Sequence, residues 1–238
     1  MRRLAGRQFS AAGGRVFAVV FKVLKRVRPD RPIHPEGVAL VGTLKRYGHD
    51  SASGIPWVDS PGMEHVTARF SRSLGLPDAW PDILGLAVRI PNGEKHADVL
   101  LASTGASRAG RFMLTLHRRA AAAVFTTMMP YKGAAGPILL AARTLHAPTR
   151  LPAAPSSFRR ALGTHQWILG LYYARPCDAW TQFATLALET APELADTATR
   201  FDPVRNPLFG TSTYGWASRL REPSYATARR QPPSSAGR

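Results

Sequence analysis

Cysteine is almost absent: Cys177 is the only one in 238 residues. That excludes an internal disulfide framework and a multi-cysteine metal site. It suits a reducing cytoplasm. Flanked by Pro176 and Asp178, the thiol reads as a loop or strand-end residue. Acidic side chains are scarce too, with 15 Asp and Glu against 32 Lys and Arg, a net charge of +17. Such a surface draws polyanions, whether nucleic acid, anionic lipid or acidic small molecules. No run of five or six consecutive basic residues occurs, so the charge is diffuse and no specific nucleic-acid partner is expected. No apolar run approaches the ~20 residues that a membrane-spanning helix needs.

Familiar catalytic signatures are missing as well. The seven histidines include no H-x-x-x-H or H-E-x-x-H pair, which argues against a zinc hydrolase. No phosphate-binding loop is present. Gly105-Ala-Ser-Arg-Ala-Gly110 has the wrong spacing for a nucleophile elbow, and Gly210-Thr-Ser-Thr-Tyr214 lacks the closing glycine. There is no internal repeat.

What is present begins with a basic N-terminal segment. Residues 1–28 carry eight basic side chains and no acid. Phe17, Val20, Phe21, Leu24 and Val27 recur at helical spacing, with Arg15, Lys22 and Lys25 on another face. The pattern predicts an amphipathic basic helix over residues 1–30, docked on the protein's own domain or lying on an anionic membrane surface. The short apolar run and the basic residues behind it do not read as a secretory leader.

Beyond it, short apolar runs alternate with turn signals: 38–44, 65–71, 84–90, 98–103, 137–142, 166–174 and 181–188. In HVTARFS, Val66, Ala68 and Phe70 share one face while Thr67, Arg69 and Ser71 share the other. Runs of this length suit a β-sandwich or barrel. The stretches 112–129 and 190–200 read as helical inserts, and the proline-rich 144–158 as a loop. One domain over 31–230 is the simplest division, followed by a disordered tail at 231–238.

Chemistry gathers around RPIHPEGVALVGTLKR, residues 31–46, where His34 stands between Pro32 and Pro35 at the mouth of a strand. Prolines stiffen the backbone that carries it, as befits a histidine that must point consistently. Arg69 and Ser71 share a strand face, and Arg221 precedes Tyr225 by four residues near the C-terminus.

These segments resemble the haem catalases. R-x-x-H followed by a small-residue G-x-A-x-x-G strand is similar to the family's distal segment. ARFSRSLGLPDAWPDILGLAVRI (68–90) resembles its next two strands, and ADVLLASTG (97–105) the one after. REPSY (221–225) is similar in spacing to the proximal R-x-x-x-Y. Small catalase-like proteins that keep only the barrel are the nearest in pattern.

The resemblance implies an α+β fold: mainly an antiparallel eight-stranded catalase-like β-barrel with an N-terminal amphipathic helix, helical inserts and a C-terminal helix. It implies haem b as cofactor. His34 is then the distal base, Ser71 its orienting partner, Arg31 and Arg69 the propionate partners, and Tyr225 the axial iron ligand. Arg221 supplies a cation beside the phenolate, and Tyr214 is the alternative ligand. Ala102 and Ser103 stand where the family has the distal asparagine that orients peroxide. That departure points away from rapid dismutation and toward a peroxidase-type reaction of a small hydroperoxide with an organic electron donor. Two alternatives stay open: a haem- or lipid-binding barrel without catalysis, and a basic protein held peripherally on the inner face of the membrane. A homodimer is compatible with all three.

Overall fold

The computed structural model describes residues 36–48, 53–148 and 150–217. The segments expected to form the N-terminal helix, the C-terminal helix and the tail, together with Arg31, His34, Arg221 and Tyr225, therefore lie outside the described residues.

Period-two alternation of apolar and small or polar residues does what it predicts: it builds a closed antiparallel barrel. Its eight staves are β1 (Gly37–Arg46), β2 (Gly62–Arg72), β3 (Asp82–Asn92), β4 (Lys95–Thr104), β6 (Val124–Thr126), β8 (Gly136–His146), β9 (Trp167–Ala174) and β10 (Thr181–Thr190). β1 pairs with β10, and β8 with β9, so the ring leaves no open edge. Three short strands attach outside it: β5 (Leu116–His117) on β3, β7 (Tyr131–Gly133) on β8, and β11 (Ser212–Thr213) on β7.

Inward positions are apolar and buried, among them Leu40, Ala68, Val88, Val99, Leu140, Leu171 and Leu186. Each rim is plugged by a helix. Pro56 opens α1 (Pro56–Asp59), where Val58 is buried and Trp57 meets Phe183 edge-on at 6.1 Å. At the other rim α2 (Pro155–Leu162) buries Phe158 and Leu162, one turn apart. Phe158 stacks on Phe70 at 4.3 Å, and Trp167 meets Phe70, Phe125 and Phe158 edge-on. These rims are called here the α1 rim and the α2 rim. β1, β3 and β9 begin at the α2 rim; β2, β4, β8 and β10 end there.

The helix content is lower than expected. The stretch 112–129 is not a helix. Leu114 bridges to Thr104, Leu116–His117 joins β3, Ala120–Ala122 makes one 3-10 turn, and Val124–Thr126 becomes a stave between β4 and β8. The alanine run favours helix, but leaving the β4 and β8 backbones unpaired would cost more than that propensity returns. The stretch 190–200 is likewise not helical. Ala191 and Ala195 hydrogen-bond to the backbone of Ala39, and Thr197 bonds Thr199 through its hydroxyl. The loop expected over 144–158 gives way to α2 at Pro155, because proline is tolerated at the first helical position. Gly163, at φ 54°, ends that helix.

Candidate functional site

The outward face of β1–β4 carries Arg69, Ser71 and Ala102, the residues singled out by the sequence that lie there. Registers set Gly37 opposite Ser71, Ser71 opposite Gly85, Gly85 opposite Ala102, and Ala102 opposite Thr126. One step toward the α1 rim, the next row is Ala39, Arg69, Ala87 and Leu100. The Ser71 row consists mainly of residues with one side-chain carbon or none, whereas the next row carries Arg69 and Leu100 beside its two alanines. Arg69 and Ser71 share this face, as their spacing predicts, and both are buried.

Arg69 does not stand ready for a new anion. Its Nε donates to Asp196 Oδ1 at 2.7 Å and a terminal nitrogen donates to Oδ2 at 2.7 Å. The same carboxylate accepts the backbone N–H groups of Gly37 and Thr197. A Cβ on Gly37 would sit 2.7 Å from Arg69 Cζ, so glycine there is the condition for the guanidinium to cross the strand. Asp196 could not be found by pattern: it lies in a stretch that reads as helix, 127 positions from its partner.

A second arginine–carboxylate fork lies beside the first. Arg89 donates to both oxygens of fully buried Asp98 at 2.8 and 2.9 Å. Asp98 Oδ2 also accepts the Asp202 backbone N–H and the Asn206 amide. Burial pushes the Asp98 carboxyl up, but those donors outweigh it and hold it below the ordinary carboxylate value of 3.8. Arg89 also donates to the Arg200 carbonyl and lies over the Phe201 ring. The two forks strap residues 191–206 across the outside of the barrel. The strap covers the Ala39 end of the face and adjoins the Ser71 row.

Ala102 and Ser103 divide between the two sides of β4. Ala102 faces outward in the Ser71 row with no donor to offer. Ser103 points inward, is fully buried, accepts the Leu84 N–H and donates to the Thr115 carbonyl. Neither reproduces an outward amide.

Tyr214 lies at the α1 rim. It follows β11, which pairs with β7 at the α1 rim, and it stacks on Trp216 at 6.3 Å. Ser71 lies at the α2 rim. The two are separated by about the length of a stave, on the order of 30 Å. Tyr214 and Ser71 thus lie at opposite rims of the barrel, and Tyr225 lies outside the described residues.

The lumen is closed to ligands. Its residual cavity, lined by Leu44, Trp57, Val88, Leu140 and Phe183 among others, measures about 20 Å³, room for one water at most. A haem or a fatty chain does not fit inside. Among the described residues, no cluster of three or more His, Cys, Asp or Glu forms a metal-ligand set, and no helix is long and apolar enough to cross a membrane. Cys177 lies exposed in the β9–β10 turn. Beneath that turn Arg111 is buried, donating to the Arg175 and Asp178 carbonyls and lying 4.3 Å from the Trp180 ring centre. No protein-family model matches the sequence, and the search of curated proteins finds no relative.

Proposed function

We propose that the protein is a haem-dependent hydroperoxide-processing enzyme of peroxidase type, working on the outer face of the barrel. One observation carries this reading. The ladder places Ser71 directly opposite Gly37, and Gly37 is three positions after His34. That short spacing, at most about 10 Å of chain, is what supports pairing the His34 imidazole with the Ser71 hydroxyl.

Haem, when bound, would supply a ferric iron to polarise the peroxide. His34 takes the proton from the hydroperoxide O–H and returns it to the departing oxygen. Ser71 orients the imidazole. Tyr225 would hold the iron through its phenolate, and Arg221 would offset that charge. Arg31 pairs with a propionate. Arg69 is committed to Asp196, so its part here is to fix the floor of the site and the strap beside it. The hydroperoxide gains two electrons and two protons to give an alcohol and water, and an organic donor such as a phenol supplies the electrons.

Ala102 favours slow or absent dismutation. A positioned donor is worth roughly 10²- to 10³-fold in rate when it acts in the transition state, and this face has lost it. The same feature favours, as the second reading, a haem-binding barrel without turnover. Protein purified from haem-supplemented cells separates the two. A Soret band with peroxide-dependent dye oxidation that disappears in His34→Ala supports the enzyme. A Soret band without oxidation supports the binder, and no Soret band overturns both.

A further inference from the structure

We propose that the α2 rim is a membrane-docking face that rests on anionic bilayers. This does not depend on the haem reading.

Large apolar side chains exposed to solvent are unevenly placed. Trp80 (62%), Met113 (65%), Leu116 (55%), Leu145 (52%) and Leu194 (52%) are the relevant ones. Trp80 lies in the β2–β3 connection. Met113 and Leu116 lie in the chain that leaves β4, where Leu116 pairs with Ile83 at the start of β3. Leu145 is near the end of β8, and Leu194 follows β10. All five therefore lie in connections at one rim or in the last residues of a stave that ends there. Tyr47, Met63 and Trp216, fewer and less exposed on the whole, lie at the α1 rim.

Exposed cations share the connections with these apolar tips. Arg118 and Arg119 follow Leu116, Arg143 and Arg150 flank Leu145, and Arg160 lies on the α2 helix. Against them at this rim stand Glu36, Asp78, Glu189 and Glu193; Asp196 is paired with Arg69, and Asp82 is fully buried beside Arg72. The chain also enters β1 at this rim, and the eight cations of residues 1–28 precede that entry.

Apolar tips within a basic field fit one partner chemistry. An anionic headgroup layer attracts arginine at a gain that accumulates per residue, and tryptophan and leucine settle at the headgroup–acyl boundary. A second copy of the chain fits poorly. It would bring two like-charged rims together in a protein of net charge +17. The face lies on the barrel itself, so docking here does not require the N-terminal helix to be the sole anchor.

The test is sedimentation of the full-length chain with vesicles of phosphatidylcholine alone, or of phosphatidylcholine with about one quarter phosphatidylglycerol. The expected result is binding only to the anionic vesicles, weakened by salt. Trp80→Ser combined with Leu116→Ser should lower the partition about tenfold or more, and Arg118→Glu with Arg119→Glu by a similar factor. The melting temperature should not move, because all four side chains are exposed. Absence of binding by the parent chain overturns the proposal. So does unaltered binding by the Trp80/Leu116 variant, which would assign attachment to residues 1–28. So does a dimer in solution that the same variant dissociates.

Discussion

Ser71 and Gly37 face each other across the β1–β2 ladder, and the missing Gly37 side chain is what lets Arg69 reach Asp196 over the strand. One glycine thus serves two ends: it keeps the floor beside Ser71 low, and it admits the clasp that straps residues 191–206 to the barrel.

Gly37→Ala should open that clasp. The added carbon meets Arg69 Cζ and the Phe70 carbonyl oxygen, both at 2.7 Å, and overpacking of this kind costs about 1–3 kcal/mol. Denaturant melts should show that loss. Asp196→Ala should loosen the same strap without overpacking, seen as faster amide exchange at Thr197 while the core strands stay protected.

His34→Ala should reduce peroxide-dependent oxidation by roughly 10²- to 10⁴-fold, the usual worth of a positioned general base, with the Soret band retained. Ser71→Ala, which removes only the orienting hydroxyl, should give a smaller fall in kcat. Equal losses of haem and activity in both variants would show that these residues hold structure rather than move protons.

Ala102→Asn should confer dismutation. Ala102 shares the outward row with Ser71 and Gly85, so an amide there projects over the face where the peroxide is proposed to bind. Oxygen release from hydrogen peroxide should rise by about 10-fold or more, as read with an oxygen electrode. The corresponding Ser103→Asn should not help, since Ser103 points inward and is spent on Leu84 and Thr115.

Stability should fall with acid through Asp98. Its carboxyl titrates lower in the folded chain than in the unfolded one. Its contribution is therefore complete above the ordinary carboxylate value and is lost as pH drops through the folded value. Asp98→Asn should cost about 3 kcal/mol at neutral pH, because it leaves Arg89 without its charged partner. The gap between parent and variant should close between pH 4 and strongly acid solution in a series of thermal melts.

Which side chains point in and which point out was readable from the amino-acid order alone. Val66, Ala68 and Phe70 face the core, and Arg69 and Ser71 face away, because successive residues of a strand project to opposite sides whatever the strand pairs with. All seven apolar runs lie within or overlap observed staves for that reason. Helical bias in the alanine-rich 112–129 misled, since propensity is a local term and closing the ring is not.

The pairings themselves were decided only in three dimensions. That β8 meets β9, that Asp196 reaches Arg69 from 127 positions away, and that Tyr214 ends at the far rim depend on how a closed ring distributes its loops. Hydrogen bonding between strands is non-local and carries no period along the chain. Arg69 and Ser71 could be singled out from their order, but the carboxylate that clasps Arg69 was set by the barrel.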